Sequence, residues 1–170
     1  MLRLVGAAML LTASAALGFG ASGTLSARVS ELESLILSLK TMEWELSDRL
    51  TPLPELLRRA AACMNGVVKE FYLLCLSGLE RRSEIPFSQI WREAAESVPF
   101  HLDEHELSQL EDLGNILGRY DAASQCAALC ETRERLSRLL EKAREQKEKM
   151  GRVYGTMGLA SGALLVIVLL

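Results

Sequence analysis

Residues 25–54 read LSARVSELESLILSLKTMEWELSDRLTPLP, and this stretch decides the fold. Its apolar residues recur every three or four positions, the spacing that places side chains on one face of an α-helix. They are Leu25, Val29, Leu32, Ile36, Leu39, Met42, Leu46 and Leu50. Because proline blocks helical continuation and suits the first turn of a helix, Pro52 and Pro54 predict the end of this helix and the start of a second. Thr51 is the predicted N-cap of that second helix.

Three further helical segments are predicted before residue 100. The second helix covers 54–64, and the third covers 67–80. The fourth begins at Pro86, carries its apolar residues on one face and stops at Pro99. Trp91 lies on that apolar face, where aromatic side chains usually pack against a neighbouring element, so we expect it in the core.

Two more helices complete the pattern. Asp103 with Glu106 three residues later forms a capping-box sequence, which predicts a fifth helix that ends around Gly118. Asp121 can cap a sixth helix, and no proline follows it before Leu170, so an unbroken helix would reach about 75 Å. No strand-like alternation competes with these patterns. The sequence therefore predicts an all-α bundle of about six helices.

Both ends of the chain are apolar enough to cross a membrane. Residues 4–27 carry no charge, and neither do residues 153–170. A spanning helix needs roughly 17 to 25 mostly apolar residues, so we predict a transmembrane segment over 1–27, a bundle over 28–152 and a transmembrane helix over 153–170. The first segment also fits a cleavable signal peptide, because a basic start precedes an apolar run and small residues at 13–15.

Small residues form a stripe along the predicted C-terminal span. Gly155, Gly158 and Gly162 are three and four residues apart. Small residues on one face let transmembrane helices approach closely, which predicts helix packing inside the membrane. Glycine is also simply frequent in such helices, and the two interpretations remain open.

Charge predicts the orientation of the bundle and the class of its partners. Lysine and arginine are abundant on the bundle side of both spans, whereas only Arg3 lies beyond them, so the positive-inside rule predicts a cytoplasmic bundle. Residues 28–152 hold eighteen basic and twenty-two acidic residues, a net charge of minus 4. A nucleic-acid-binding protein would need a basic face and usually a high pI, so we expect no nucleic-acid partner.

The sequence offers little to carry catalysis. His101-Leu102-Asp103-Glu104-His105 matches the H-x-x-E-H pattern of some zinc proteases, but a helix that starts at Asp103 leaves His101 outside it and separates the two imidazoles. Neither a serine nucleophile elbow nor a phosphate-binding loop occurs. We therefore expect no catalytic residue, metal, cofactor or small-molecule substrate, with a zinc enzyme as a minor alternative.

The four cysteines fit neither a disulfide framework nor paired zinc ribs. They are Cys63, Cys75, Cys126 and Cys130. Free cysteine behaves as a small hydrophobe and persists in a reducing compartment, so we interpret them as buried or half-buried thiols. An extracellular bundle would weaken that interpretation.

The sequence EDLGNILGRYD over 111–121 is the strongest local motif. One interpretation makes Gly114 a packing notch, Gly118 a helix C-cap and Asp121 the next N-cap. The functional interpretation is that this corner presents Arg119 to a partner. A highly charged run from Glu131 to Lys149 follows, and most such runs are solvated helix surface. The second interpretation is a basic skirt at the lipid surface, in which Lys147, Lys149 and Arg152 meet anionic headgroups.

Three stretches together resemble a known family. They are RVSELESLILSLKTMEWELSDRLTPLPELL, PFSQIWREA and LSQLEDLGNILGRYDAASQ. With their flanking spans they resemble stage III sporulation protein AB of endospore-forming bacteria, over essentially the whole chain. The residues that match the recurring positions of that family are Pro86, Trp91, Leu113, Gly114, Gly118 and Asp121.

The resemblance implies a function. It implies a cytoplasmic helical bundle similar to those of type II secretion and type IV pilus platform proteins. It also implies membership of the complex between mother cell and forespore, in the mother-cell membrane, beside a secretion-type ATPase and other membrane proteins. We therefore predict a non-enzymatic platform that docks this ATPase, with contacts near Arg119 and from Arg133 to Lys149. The alternative is a secreted, C-terminally anchored helical sensor or adhesion module.

Overall fold

The computed structural model describes the backbone of residues 2–81, 84–119 and 121–169, and the side chains of 23–81, 84–119, 121–151 and 153. This part of the chain holds six helices and no strand, so the predicted all-α bundle is confirmed. The helices are α1 (Leu2–Arg49), α2 (Leu53–Cys63), α3 (Gly66–Arg81), α4 (Phe87–Ser97), α5 (Glu104–Gly114) and α6 (Ala122–Leu169).

The two long helices pack along each other in opposite directions. Glu33 of α1 pairs with Arg144 of α6 at 2.6 Å, whereas Glu43, further along α1, pairs with Arg133, earlier on α6. Their buried aliphatic residues form what we call the α1–α6 seam. The seam contains Val29, Leu32, Leu35, Leu39, Leu46, Leu129, Leu136 and Leu140.

The shorter helices close the bundle around α1. Helix α6 packs against α1 and α5, α1 packs against α3, α3 against α4, and α4 against α5, while α2 bridges α1 and α3. Helix α1 is therefore covered by α6 and also by α2 and α3, so its apolar face packs against more than one neighbouring helix. Ser38 of α1 is buried, and its hydroxyl lies 2.7 Å from the Tyr72 hydroxyl of α3.

Aromatic residues fill the centre between α3 and α4. The Phe71 ring packs edge-on against Trp91, with ring centroids 4.6 Å apart, and also contacts Phe100. Tyr72 and Phe87 contact Trp91 from other sides. Trp91 is fully buried, which confirms its predicted place in the core.

The boundary between α1 and α2 differs from the sequence prediction. Pro52, not Thr51, is the N-cap residue of α2. Thr51 is buried, and its hydroxyl donates to Glu45 Oε2 at 3.1 Å, because the chain reverses sharply at Leu50. Leu50 has a φ of 49° and is 69% exposed, so the predicted apolar stripe ends at Leu46.

The predicted membrane spans fall almost wholly on residues whose side chains the structure leaves undescribed. Gly155, Gly158 and Gly162 all lie outside the described side chains. Within the part that is described, no helix offers a run of apolar residues long enough to cross a membrane.

Candidate partner-binding surfaces

Trp91 and Gly114 form a close contact between α4 and α5. A Cβ on Gly114 would lie 2.4 Å from Trp91 Cδ1, a distance that no side chain could accept without a shift of the indole. The indole Nε1 donates to the Leu110 carbonyl oxygen at 2.7 Å, so the ring is held in position by α5 as well as by its neighbours. Gly114 is thus the packing notch that the sequence predicted. We call this contact the Trp91–Gly114 corner.

Gly118 lies in the turn that follows α5. Its φ of +78° is in the left-handed region, which favours glycine. A Cβ there would lie 3.0 Å from Leu53 Cδ2, so the turn also rests on the start of α2. Helix α5 ends at Gly114 with Asn115 as C-cap, four residues before the predicted end, and Gly118 is a turn residue rather than the helix cap.

Pro86 and Asp121 mark the starts of α4 and α6. Pro86 is the N-cap residue of α4, with a φ of −58°. Asp121 Oδ1 accepts from the Ser124 backbone N–H at 3.0 Å, which is the predicted N-cap arrangement. The backbone and side-chain hydrogen bonds from Ser124 hold the pKa of Asp121 below its usual value.

Two arginines were predicted to contact a partner, and their surroundings differ. Arg119 is exposed, and its guanidinium has no partner among the residues described. Arg133 is only 27% exposed at its side chain; its Nε donates to Glu43 Oε2 at 3.1 Å, and its Nη2 lies 3.4 Å from Cys130 Sγ. Arg119 is thus free to bind another molecule, whereas Arg133 fastens α6 to α1.

The two histidines differ in their position relative to α5. His101 precedes α5; its backbone N–H donates to Glu31 Oε2, and its Nδ1 lies 2.7 Å from Glu31 Oε1. Asp103 accepts from the Glu106 N–H, and the capping box is complete, as the sequence predicted. His105 is therefore on the helix while His101 is not. Among the described residues no three histidine, cysteine, aspartate or glutamate side chains are grouped to hold a metal ion.

The cysteines are free thiols in different surroundings. Cys75 is buried, and desolvation raises the pKa of its thiol. Cys126 and Cys130 are partly buried on α6, which fits the predicted half-buried thiols. Cys63 is exposed, so the prediction of burial is wrong for this residue. It is the last residue of α2.

Sequence reasoning missed a buried charge cluster between α1 and α5. The Glu106 side chain is fully buried, and its carboxylate accepts from Arg28 Nη2 at 2.7 Å and from Arg28 Nε. Arg28 also pairs with Asp103. The capping-box pattern identified Glu106 as a cap, but only the approach of α1 buries it. A partner 78 residues away leaves no local signal.

Comparison with protein families matches residues 3–170 to stage III sporulation protein AB. The chain belongs to the stage III sporulation protein AB family. Among solved structures it is similar to a stage III sporulation protein AB, with 19% identity, a TM-score of 0.66 and coverage of 72% of this chain and 98% of the other. That likeness shows the fold. No curated protein matches the chain.

Membership of the stage III sporulation protein AB family makes the chain a component of a sporulation-associated complex. In such a component the surfaces of interest are those that can contact other proteins. The Trp91–Gly114 corner is buried, and it holds α4 against α5. Arg119, five residues after Gly114, is exposed.

Proposed function

We propose that the chain is a non-enzymatic platform in the mother-cell membrane that faces the forespore. In this proposal both ends cross the membrane, the bundle is cytoplasmic, and it docks a secretion-type ATPase beside other membrane proteins of the sporulation complex. The main support is the antiparallel packing of α1 and α6. Arg28 Nη1 lies 3.4 Å from Gln146 Oε1, so the two predicted spans leave the bundle at the same end and can enter one membrane.

The continuity of α1 and α6 supports a role in transmitting motion from the bundle to the membrane. Helix α6 runs without interruption from Ala122 to Leu169, and α1 runs from Leu2 to Arg49. The stretch of α6 from Ala122 to the predicted span at residue 153 is about 46 Å long at 1.5 Å per residue. Because no proline interrupts it, a displacement of the bundle would be carried to the membrane along a stiff helix.

The buried polar groups support structure rather than catalysis. Every buried side-chain nitrogen or oxygen in the described part of the chain has a hydrogen-bond partner. Glu106 is held by Arg28, and Glu45 is held by Arg59 and Thr51. Such satisfied pairs orient helices.

The proposed docking surfaces are the exposed surroundings of Arg119 and the outer face of α6 between 133 and 149. To test the first, Arg119→Glu should weaken ATPase binding without changing thermal stability. For Arg133 a single reversal would also break the ion pair with Glu43, so Arg133→Glu is to be combined with Glu43→Arg. Unchanged ATPase binding in both the Arg119 variant and the exchanged pair would refute this placement.

The proposed topology is tested with an epitope tag between Arg82 and Ser83. We expect protease to spare the tag in intact protoplasts and to remove it after lysis. A second tag placed before Met1 is the control, because the proposal exposes it in intact protoplasts. Cleavage of the tag at 82 in intact protoplasts would contradict the platform and favour the secreted sensor or adhesion module.

A further inference from the structure

A basic groove lies between α5 and α6. It has a volume of about 340 Å³ and is open to solvent along one side. It is lined by His105, Gln109, Arg135, Arg138, Leu139 and Lys142. This lining contains three permanent cations and no carboxylate, although the chain as a whole carries more acidic than basic residues. The groove is therefore positively charged, whereas the chain as a whole has a net negative charge.

Two of the cations in the groove have no partner among the residues that the structure describes. Arg135 is engaged: it donates to Gln109 Oε1 at 2.9 Å and to Glu131 Oε1 at 2.5 Å. In contrast, Arg138 and Lys142 have no hydrogen bond or ion pair to any residue in the described part of the chain. Leu139 gives the groove an apolar floor between them.

The spacing of the free cations suits a helical acidic segment. Arg138 and Lys142 are four residues apart on one helix, about 6 Å along its axis. Acidic residues at i and i+4 of a second helix have the same separation, so a helix lying along the groove could pair with both. The half-buried Leu139 would contact the apolar residues of that helix.

Distance argues against lipid headgroups as the occupant. The predicted span begins at residue 153, eleven residues after Lys142, which is about 16 Å of helix. Arg138 is four residues further away. Interactions between exposed charges are largely screened beyond roughly 8 Å at physiological ionic strength, so this separation favours a protein partner over lipid headgroups.

We infer that the α5–α6 groove binds an acidic helical segment of a partner protein, through Arg138 and Lys142. The inference rests on the proposed function, because it specifies where and through what chemistry the platform contacts a protein. It places this contact in one groove beside the outer face of α6, and Arg133 is not part of the groove lining, because its guanidinium is engaged with Glu43.

The test uses the full-length chain in neutral-lipid nanodiscs and a fluorescein-labelled alanine-based helical peptide with glutamate at i, i+4 and i+7. We expect saturable binding by fluorescence anisotropy, weakened by added salt. The double variant Arg138→Glu/Lys142→Glu should lower the affinity about tenfold or more, because it replaces attraction with repulsion at both contacts. The matched control is Lys69→Glu/Arg92→Glu, which makes the same charge change at exposed cations of α3 and α4.

Several results would overturn the inference. They are absence of peptide binding to the wild-type chain, equal loss in the control variant, and equal binding of a peptide with glutamine in place of glutamate. Competition by phosphatidylglycerol vesicles, but not by phosphatidylcholine vesicles, would assign the groove to lipid instead. If the charge-reversed variant fails to fold by circular dichroism, Arg138→Gln/Lys142→Gln decides the question, with a smaller expected loss.

The groove and the platform can fail separately. If the peptide does not bind while the tag at 82 is protected in protoplasts, the groove assignment is wrong and the cytoplasmic platform stands. If the peptide binds while the tag is cleaved, the groove is a binding site on a bundle that lies outside the cell, and the proposed function fails.

Discussion

The α1–α6 seam and the Trp91–Gly114 corner hold the same bundle together by different means. The seam is a row of aliphatic side chains, backed by ion pairs such as Arg144 with Glu33, and many similar side chains could fill it. The corner depends on one glycine lying against one indole, with the nearest ring atom 2.4 Å from where a Cβ would be. The seam needs apolar side chains at helical spacing, whereas the corner needs glycine at position 114 and tryptophan at position 91.

This difference assigns separate tasks to the two regions. The seam sets the direction in which both ends of the chain leave the bundle. The corner fixes α4 against α5 and so positions the turn that presents Arg119. A change that loosens the seam should act on stability alone, whereas a change at the corner should also disturb the surface beside it.

The largest expected effect is at the corner. Trp91→Ala should lower the free energy of unfolding by about 3–5 kcal/mol, because it leaves a cavity among the aromatic rings and frees the Leu110 carbonyl. Urea unfolding of the full-length chain in detergent, followed by circular dichroism, measures it. Trp44→Ala is the matched control: Trp44 is 49% exposed and stacks with Arg49, so we expect a loss below about 1 kcal/mol. Equal losses of unfolding free energy in the two variants would mean that Trp91 contributes no more to stability than an exposed tryptophan does.

The next effect tests the glycine itself. Gly114→Ala should cost about 1–3 kcal/mol, because the added methyl group overlaps the Trp91 ring. Gly151→Ala makes the same change in α6, where nothing lies within 4 Å, and should stabilise the helix by roughly 0.5–1 kcal/mol. Thermal unfolding of both variants compares them. A Gly114→Ala variant as stable as the wild type would show that the corner tolerates substitution as the seam does.

A smaller effect is expected in the seam. Leu39 is fully buried, but Leu39→Met keeps the volume and apolar character of the side chain, so the cost should stay below about 1.5 kcal/mol. The variant should also keep ATPase binding unchanged. A loss larger than that of Gly114→Ala, measured by the same urea unfolding, would reverse the proposed ranking of seam and corner.

The smallest effect concerns pH and the α1–α2 junction. Hydrogen bonds from Arg59 and Thr51 hold the pKa of Glu45 below its usual value. The folded state therefore gains stability from the ionised carboxylate at neutral pH, and this gain is lost as the pH falls through the lowered pKa. Glu45→Gln should be less stable than the wild type at pH 7, and the difference should shrink on acidification. Melting temperatures from pH 7 down to about 3 measure this, and a constant difference would contradict it.

The sequence predicted the parts of the fold that depend on local patterns. Apolar spacing along 25–46 predicted α1, and the Asp103 and Asp121 side chains predicted two helix starts, because caps and periodicity act within a few residues. It also predicted Gly114 as a packing notch. Glycine inside a helix lowers the stability of that helix, and close packing by a neighbouring helix explains its presence there.

The remaining features depend on contacts between distant residues. The left-handed turn at Leu50 displaced the predicted cap at Thr51, because leucine rarely adopts that conformation and only the tertiary fold imposes it. The burial of Glu106 required Arg28 from α1. The α5–α6 groove could not be predicted for the same reason: Arg138 and Lys142 are part of a charged run, and only the packing of α5 against α6 forms the groove that they line.

The most direct test of the platform is recovery of the ATPase with the chain. An epitope-tagged full-length chain is to be purified from detergent-solubilised membranes of sporulating cells, and the secretion-type ATPase quantified by mass spectrometry. We expect that the ATPase is recovered with the wild type and with Lys69→Glu/Arg92→Glu, and is depleted with Arg119→Glu. Recovery of the folded wild-type chain without the ATPase would contradict it.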